Sequence, residues 1–176
     1  NKTYTARKPT MAQIQKQKLI AAFQMLYLGS PMIFYGDEAG IWGSNDPDCR
    51  KPMIWPENKY DAETYNPDQT RHDGDEVVFN KDLYNWYAKF IALRNKYKSI
   101  QRGTFSTLEK DDASKLYVFS RKYEKEEVIV LINRGNKTAT FSNALLQTGK
   151  YKDVFSLLST KQVTVNAMDV VVLSNR

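Results

Sequence analysis

"GSPMIFYGDEAG", residues 29–40, sets a short apolar run, Met32-Ile33-Phe34-Tyr35, between a Gly-Ser-Pro break and the acidic turn Gly36-Asp37-Glu38. The run does not alternate, so it reads as a strand covered on both faces, the habit of parallel sheets. Acids just beyond the end of such a strand lie where α/β proteins place their chemistry. The flanking sequence extends this pattern. Thr10-Met11-Ala12-Gln13 fits a capping box, and Ile14, Ala21, Met25 and Leu28 then recur at near-helical spacing until Gly29 stops the helix. Beyond the acids, residues 37–80 are polar and carry Pro47, Pro52, Pro56 and Pro67 with no clear period, so a long functional loop is expected there. Asn80 then caps a second helix that shows Leu83, Tyr87, Phe90, Ile91, Arg94 and Tyr97 along one face.

Near residue 100 the pattern changes to strands. "TFSTL", "KLYVFSRKY", "EVIVLINR", "KTATFS", "YKDVF", "QVTV" and "DVVVLS" are short, β-branched or aromatic, and separated by turn residues. Spacing of about ten residues points to an antiparallel sandwich with its own core from about residue 103 onward. Asn133-Arg134-Gly135-Asn136 reads as a hairpin turn with Gly135 at positive φ.

One apolar strand between two helices cannot satisfy its main-chain groups alone, because it needs a neighbour on each side. The expected fold is therefore α+β: the last αβα unit of a larger α/β domain, then a β-sandwich, with the chain as a C-terminal fragment. Its exposed strand edges are expected either to self-associate with another copy or to lose their extended form.

Composition sets limits on function. The chain of 176 residues is 41% hydrophobic and 26% charged, in the range of ordinary globular proteins. No stretch approaches the ~20 apolar residues of a membrane span. Cys49 has no second cysteine to pair with. The net charge of +6 is interspersed with acids, as in "EKDD" and "EKEE", so a solvated basic surface outweighs a nucleic-acid partner.

The chemistry is concentrated in "IWGSNDPDCRKPMIWPE", residues 41–57. Asp46, Asp48 and Arg50 can grip vicinal hydroxyls, the carboxylates accepting and the guanidinium donating paired hydrogen bonds. Tyr35 and Trp42 offer flat faces for a pyranose ring, while Trp55 serves either as a sugar platform or as a core plug. The bland alternative is a structural Asp–Arg salt bridge. "RHDGDE", residues 71–76, could hold a cation through Asp73, Asp75 and Glu76, but a solvated loop is the commoner meaning of such a cluster. No cofactor and no metal is expected.

The stretch "GSPMIFYGDEAGIWGSNDPDCRKPMIWPE" resembles the final barrel strand and following loop of the α-amylase family, glycoside hydrolase family 13. "DPDCRKPMIW" is most similar to the neopullulanase, cyclomaltodextrinase and maltogenic-amylase branch, and "DLYNWYAKFIALRNKYKSIQRGTF" resembles the last barrel helix and the entry to the C-terminal domain. The resemblance implies that residues 1–100 end a (β/α)₈ barrel and residues 101–176 form the β-sandwich called domain C. It implies hydrolysis or transfer of α-glucosidic bonds with retention, on substrates such as starch, maltooligosaccharides, cyclodextrins or pullulan. The family's three catalytic carboxylates stand at the ends of strands four, five and seven, and nothing in residues 1–28 matches the Asn-His-Asp signature. No catalytic residue is therefore assigned, and the chain alone is expected to be inactive. What carries over is substrate binding by Asp46 and Arg50 of the D-P-x-x-R segment, with Tyr35 and Trp42 beside them, while Asp37 and Glu38 brace the loop. The alternatives are a carbohydrate-binding sandwich using Tyr117, Phe119 and Tyr151, and a basic interaction module.

Overall fold

The computed structural model describes residues 6–159 and 161–176. Residues 1–5 of the expected barrel segment therefore lie outside the described residues. The described residues divide into two compact units, one of residues up to Ile14 with Met32–Ala88, the other of Gln15–Pro31 with Lys89–Arg176.

The two long helices form where their caps and spacings place them. Helix α1 spans Met11–Leu26. Its capping box closes in both directions: the Gln13 N–H donates to Thr10 Oγ1 at 3.3 Å and the Thr10 N–H to Gln13 Oε1 at 2.8 Å. Gly29 follows at φ +92°, a left-handed conformation that disfavours side chains. Helix α2 spans Lys81–Lys96, and Asn80 Oδ1 accepts from the Leu83 N–H at 3.0 Å.

The first unit contains a hairpin inside the long polar stretch, β1 (Glu63–Tyr65) against β2 (Arg71–Asp75). Asp68 turns it, its carboxylate accepting from the Thr70 N–H at 3.0 Å while Gln69 sits at φ 68°. Two of the three acids of residues 71–76, Asp75 and Glu76, are engaged by basic side chains. Arg7 reaches both carboxylate oxygens of Asp75, at 2.6 and 3.1 Å, and Lys8 Nζ lies 3.4 Å from Glu76. The Arg7 hydrogen bond holds the Asp75 carboxyl down at about 2. Among the described residues, no three His, Cys, Asp or Glu side chains gather as a cation site.

The buried strand expected at Met32–Tyr35 is corrected by the structure. That segment joins no ladder, and Met32, Phe34 and Tyr35 are 77%, 45% and 46% exposed. A central strand needs a donor-acceptor row on both sides, and no described strand offers one.

The second unit contains the sandwich. After α3 (Lys98–Arg102) come β3 (Thr104–Asp111), β4 (Leu116–Tyr123), β5 (Glu126–Asn133), β6 (Ala139–Phe141), α4 (Ala144–Gln147), β7 (Lys152–Asp153), β8 (Val163–Val165) and β9 (Asp169–Ser174). Five of these strands form an antiparallel sheet in the order β3-β4-β5-β9-β7, and β6 pairs with β8 in a smaller ladder. Alternation assigns the faces. Leu116, Val118, Ile129, Leu131 and Leu173 look toward Phe141, Leu146, Val163 and Val165 in one apolar core. Phe119, Val128, Val130 and Val172 occupy the opposite face and are fully buried. Phe23 of α1 and Tyr27 just after it cover Phe119 with ring centroids 6.5 and 5.6 Å away, while α3 contacts β4 and β5.

Two arginines fasten the end of α1 in this unit. Arg121, only 2% exposed, donates to the carbonyls of Tyr27 and Gly103, each at 3.0 Å. Arg94 donates to Met25 and Gly29 at 2.7 and 2.6 Å. Guanidinium groups at a helix C-terminus satisfy orphan carbonyls and oppose the negative end of the dipole. Burial pushes both arginine pKa values down, and for Arg121 the nearby Arg94 charge adds to it.

Two further expectations change. Asn133–Asn136 is no hairpin, since β5 pairs with β4 and β9, and Gly135 is not at positive φ. The turn is organised instead by the Asn133 side chain, which accepts from the Gly135 N–H at 2.8 Å and donates to Lys137, Val165 and Asn166 carbonyls. As for a carbohydrate platform on the sandwich, Phe119 and Tyr151 are 0% and 5% exposed and serve the interior, leaving only Tyr117 partly open. Tyr151 donates to Glu127 Oε2 at 2.8 Å, and burial pushes its phenol pKa up.

Candidate functional site

The site is built on residues 35–63 of the first unit, and its first part is a turn. Gly36 stands at φ +89°, and a Cβ there would collide with the Ile41 side chain. Its carbonyl accepts from the N–H groups of Ala39 and Ile41, both at 3.0 Å, and its own N–H donates to Glu38 Oε2 at 3.0 Å. Glu38 thus braces the turn. The Ala39 carbonyl accepts from the Asn80 N–H at 2.9 Å, tying the turn to the start of α2. Burial, and then the neighbouring Glu38 charge, push the Asp37 carboxyl pKa up.

Next comes a knot around Asp48. Its Oδ2 accepts from the Ser44 N–H at 2.6 Å, and its backbone N–H donates to Asn45 at 2.9 Å. Gly43 lies so close that a Cβ would sit 2.6 Å from the Asp48 carbonyl oxygen. A single 3-10 turn, Asp48–Arg50, follows. It brings Arg50 onto Asp46: Nε lies 2.7 Å from Oδ1 and Nη2 3.1 Å from Oδ2, a two-pronged pair. The side chains are 66% and 60% exposed, so N–H donors and carboxylate lone pairs face solvent.

The two aromatic candidates take different positions. Tyr35 is half exposed and donates through its hydroxyl to the Lys51 carbonyl at 3.1 Å, beside the Asp46–Arg50 turn. Trp42 is 9% exposed, with Lys51 Nζ 5.6 Å from its ring centroid. Its indole N–H has no acceptor among the described residues. Trp55 is no core plug: it is 51% exposed, and the neighbouring Ile54 is buried instead.

Sequence reasoning missed Lys51, Tyr60 and Glu63. Lys51 Nζ lies 2.7 and 2.8 Å from the two oxygens of Glu63 and 3.8 Å from Asp48. The Tyr60 hydroxyl accepts from the Trp55 N–H at 2.7 Å. Nothing local announces these pairings, because Lys51 and Glu63 stand twelve positions apart along irregular chain. The weak alternation of "ETY" into β1 was the only available signal.

Chemically, the region offers an exposed acid-guanidinium pair, with the Tyr35 hydroxyl bonded to the adjoining Lys51 carbonyl. Such an array suits a neutral polyhydroxylated ligand better than a metal or a phosphate.

Two family models match the chain: "Alpha amylase, catalytic domain" over residues 2–103 and "Alpha-amylase C-terminal domain" over residues 103–169. A cyclomaltodextrinase from Geobacillus thermopakistaniensis is 35% identical over 138 residues, covering 78% of this chain and 20% of that protein. Neopullulanase 2 from Thermoactinomyces vulgaris is 38% identical over 123 residues, covering 69% of this chain and 18% of its own length. The crystal structure of a maltogenic amylase from S. marinus superposes with a TM-score of 0.68 at 25% identity, over 98% of this chain and 22% of that one. The chain therefore spans about a fifth of the length of the curated relatives it matches. With the catalytic-domain model covering more than half of it and the C-terminal-domain model following directly, the chain belongs to the α-amylase family.

Proposed function

We propose that this chain is the C-terminal portion of an α-amylase-type glycoside hydrolase that cleaves α-glucans by a retaining mechanism. In this reading residues 1–100 close the barrel and residues 101–176 form domain C. The names of the relatives, cyclomaltodextrinase and neopullulanase, support an α-glucan as the substrate.

Asp46 and Arg50 hold the glucan, Arg50 donating to and Asp46 accepting from adjacent hydroxyls, with Tyr35 as the exposed aromatic neighbour; Trp42, expected to offer a sugar-stacking face, is buried instead. The observation that carries this is the two-pronged Asp46–Arg50 pair, exposed yet fixed by the Asp48 knot. A pair held in place before binding loses little side-chain freedom when a ligand arrives.

A retaining hydrolysis needs a carboxylate nucleophile and a carboxylic acid about 5–5.5 Å apart across the scissile bond. Asp46, Asp48 and Glu63 are already committed to Arg50, Ser44 and Lys51 and do not form such a couple. The chain by itself is accordingly expected to turn over no glucan. The test combines a turnover assay on starch, pullulan and cyclodextrin with affinity electrophoresis in glycogen. Retardation of the wild-type chain, lost in Arg50→Ala, with no product formed, is the expected result. Turnover, or retardation untouched by Arg50→Ala, would contradict it.

A further inference from the structure

An apolar feature of the second unit lies outside its core, on the turn that follows β7. Phe155, Leu157 and Leu158 are 42%, 68% and 70% exposed, three large apolar side chains within four positions. Single surface leucines are ordinary, but exposed apolar groups gathered on one turn mark a contact surface.

The turn is held firmly in this form. Asp153 Oδ1 accepts from the N–H groups of Phe155 and Ser156 at 2.9 and 2.7 Å. The Asp153 carbonyl accepts from the Leu157 N–H at 2.8 Å, and the Asp153 N–H donates to the Leu158 carbonyl at 3.0 Å. The Leu158 N–H reaches the Ser156 hydroxyl at 3.4 Å. Beneath, the Phe155 ring meets Phe90 of α2 with centroids 6.0 Å apart, and Lys89 Nζ lies 3.6 Å from its centroid. Leu157 stands at φ 61°, a left-handed conformation that a Cβ disfavours. The fold thus bears an unfavourable backbone angle to keep two leucines in water.

Lysines surround the base of the turn. Lys152 pairs with Ser159 across it, the Ser159 hydroxyl donates to the Gly149 carbonyl at 3.2 Å, and Gln147 donates to the Lys161 carbonyl at 3.1 Å. Lys150, Lys152 and Lys161 are therefore on neighbouring stretches, all three exposed, and none joins an ion pair among the described residues. Asp153 is the acid of residues 149–161, and its carboxylate is taken up by main-chain N–H groups.

These features choose among partners. A projecting turn cannot enclose a small ligand, which needs a concave site. A partner strand needs open main-chain donors, and those of Phe155–Leu158 are spent inside the turn. Three side chains also fall far short of the roughly 800 Å² that each partner buries in a stable protein complex. A bilayer surface asks for what is present: apolar side chains for the headgroup boundary, satisfied main-chain donors, and cations for anionic headgroups.

We infer that the Phe155–Leu158 turn is a contact site for an anionic lipid surface, with Leu157 and Leu158 entering the interface and Lys150, Lys152 and Lys161 meeting headgroup phosphates. The contact is peripheral, reversible and salt-sensitive, and it is independent of the glucan reading.

Co-sedimentation with vesicles of equimolar phosphatidylcholine and phosphatidylglycerol tests it, with phosphatidylcholine vesicles as the reference. The wild-type chain is expected to pellet with the mixed vesicles and to stay in solution with the neutral ones. Leu157→Asn combined with Leu158→Ser keeps the left-handed turn, which Asn tolerates, and is expected to weaken binding about tenfold with an unchanged urea midpoint. Lys152→Gln combined with Lys161→Gln is expected to weaken it about thirtyfold, at about fivefold for each lysine. In bicelles of the same mixture, the amide signals of Phe155–Leu158 are expected to broaden first. Absence of wild-type pelleting with the mixed vesicles overturns the inference. Pelleting untouched by the leucine variant overturns it too, reducing the contact to general attraction by a chain of net charge +6. Broadening centred on other residues has the same consequence. Dimerisation in place of vesicle binding, abolished by the leucine variant, would assign the turn to a second copy and overturn it as well.

Discussion

The loop around Asp46–Arg50 and the sheet around Phe119 are held together by opposite means. In the sheet, β5 is buried at every position but Glu127, and stability comes from apolar area removed from water on both faces. In the loop, main chain is fixed by single carboxylates, Glu38 on Gly36 and Asp48 on Ser44, while Glu63 holds the Lys51 side chain. Burial tolerates changes in partner identity as long as volume is kept, whereas a carboxylate knot depends on one particular side chain. The sheet is therefore expected to set stability and the loop to set recognition.

The largest way to strain that contrast is Phe119→Ala. It removes a fully buried ring packed on Phe23, Tyr27 and Phe105 and is expected to cost about 3–5 kcal/mol, read from urea unfolding. Glucan retardation by the fraction still folded should be unchanged. Next is Arg121→Leu, which strips donors from the Tyr27 and Gly103 carbonyls and is expected to cost about 1–3 kcal/mol. A result near zero would mean that the buried charge costs as much as its hydrogen bonds return.

A pH series tests the polar unit more gently. Asp75 is held down at about 2 by Arg7, below the ~3.9 of an unfolded aspartate. A depressed carboxyl stabilises the folded state above its unfolded value and loses that contribution as pH falls through its folded one. The difference in urea midpoint between wild type and Asp75→Asn should therefore be full near neutrality and shrink as the pH drops from about 4 toward 2. Glu126 runs in the same direction in the sheet. Burial opposes its charge, but the Ser99 N–H at 2.7 Å and Arg176 at 3.0 Å outweigh it and hold its carboxyl down.

The same contrast explains how much of the molecule could be read from its residues. The seven strand segments past residue 100 were legible because alternation and β-branching are local signals, and each matches an observed strand. The caps at Thr10 and Asn80 were legible for the same reason. Met32–Tyr35 misled, since an apolar run reports a demand for burial and not the presence of the strands that would meet it. Gly135 misled because Asn133 reorganises the turn through four side-chain hydrogen bonds that no dipeptide rule encodes. In the loop, the Asp46–Arg50 pairing follows from spacing along one turn of chain. Lys51–Glu63 does not, because it depends on a hairpin whose only trace was three alternating residues.

Arg50→Ala should have the smallest effect on stability, within about 0.5 kcal/mol as for exposed ion pairs generally, because both partners are more than half exposed. Its effect on binding is the most direct test of the division between sheet and loop. Amide chemical shifts of the whole chain would be followed during titration with maltoheptaose, for wild type and for Arg50→Ala. The expected result is perturbation confined to residues 35–63 and an affinity about tenfold weaker in the variant, the worth of one two-pronged contact. Perturbation centred on Tyr117 and its neighbours in the sheet, or an affinity unchanged by Arg50→Ala, would contradict it.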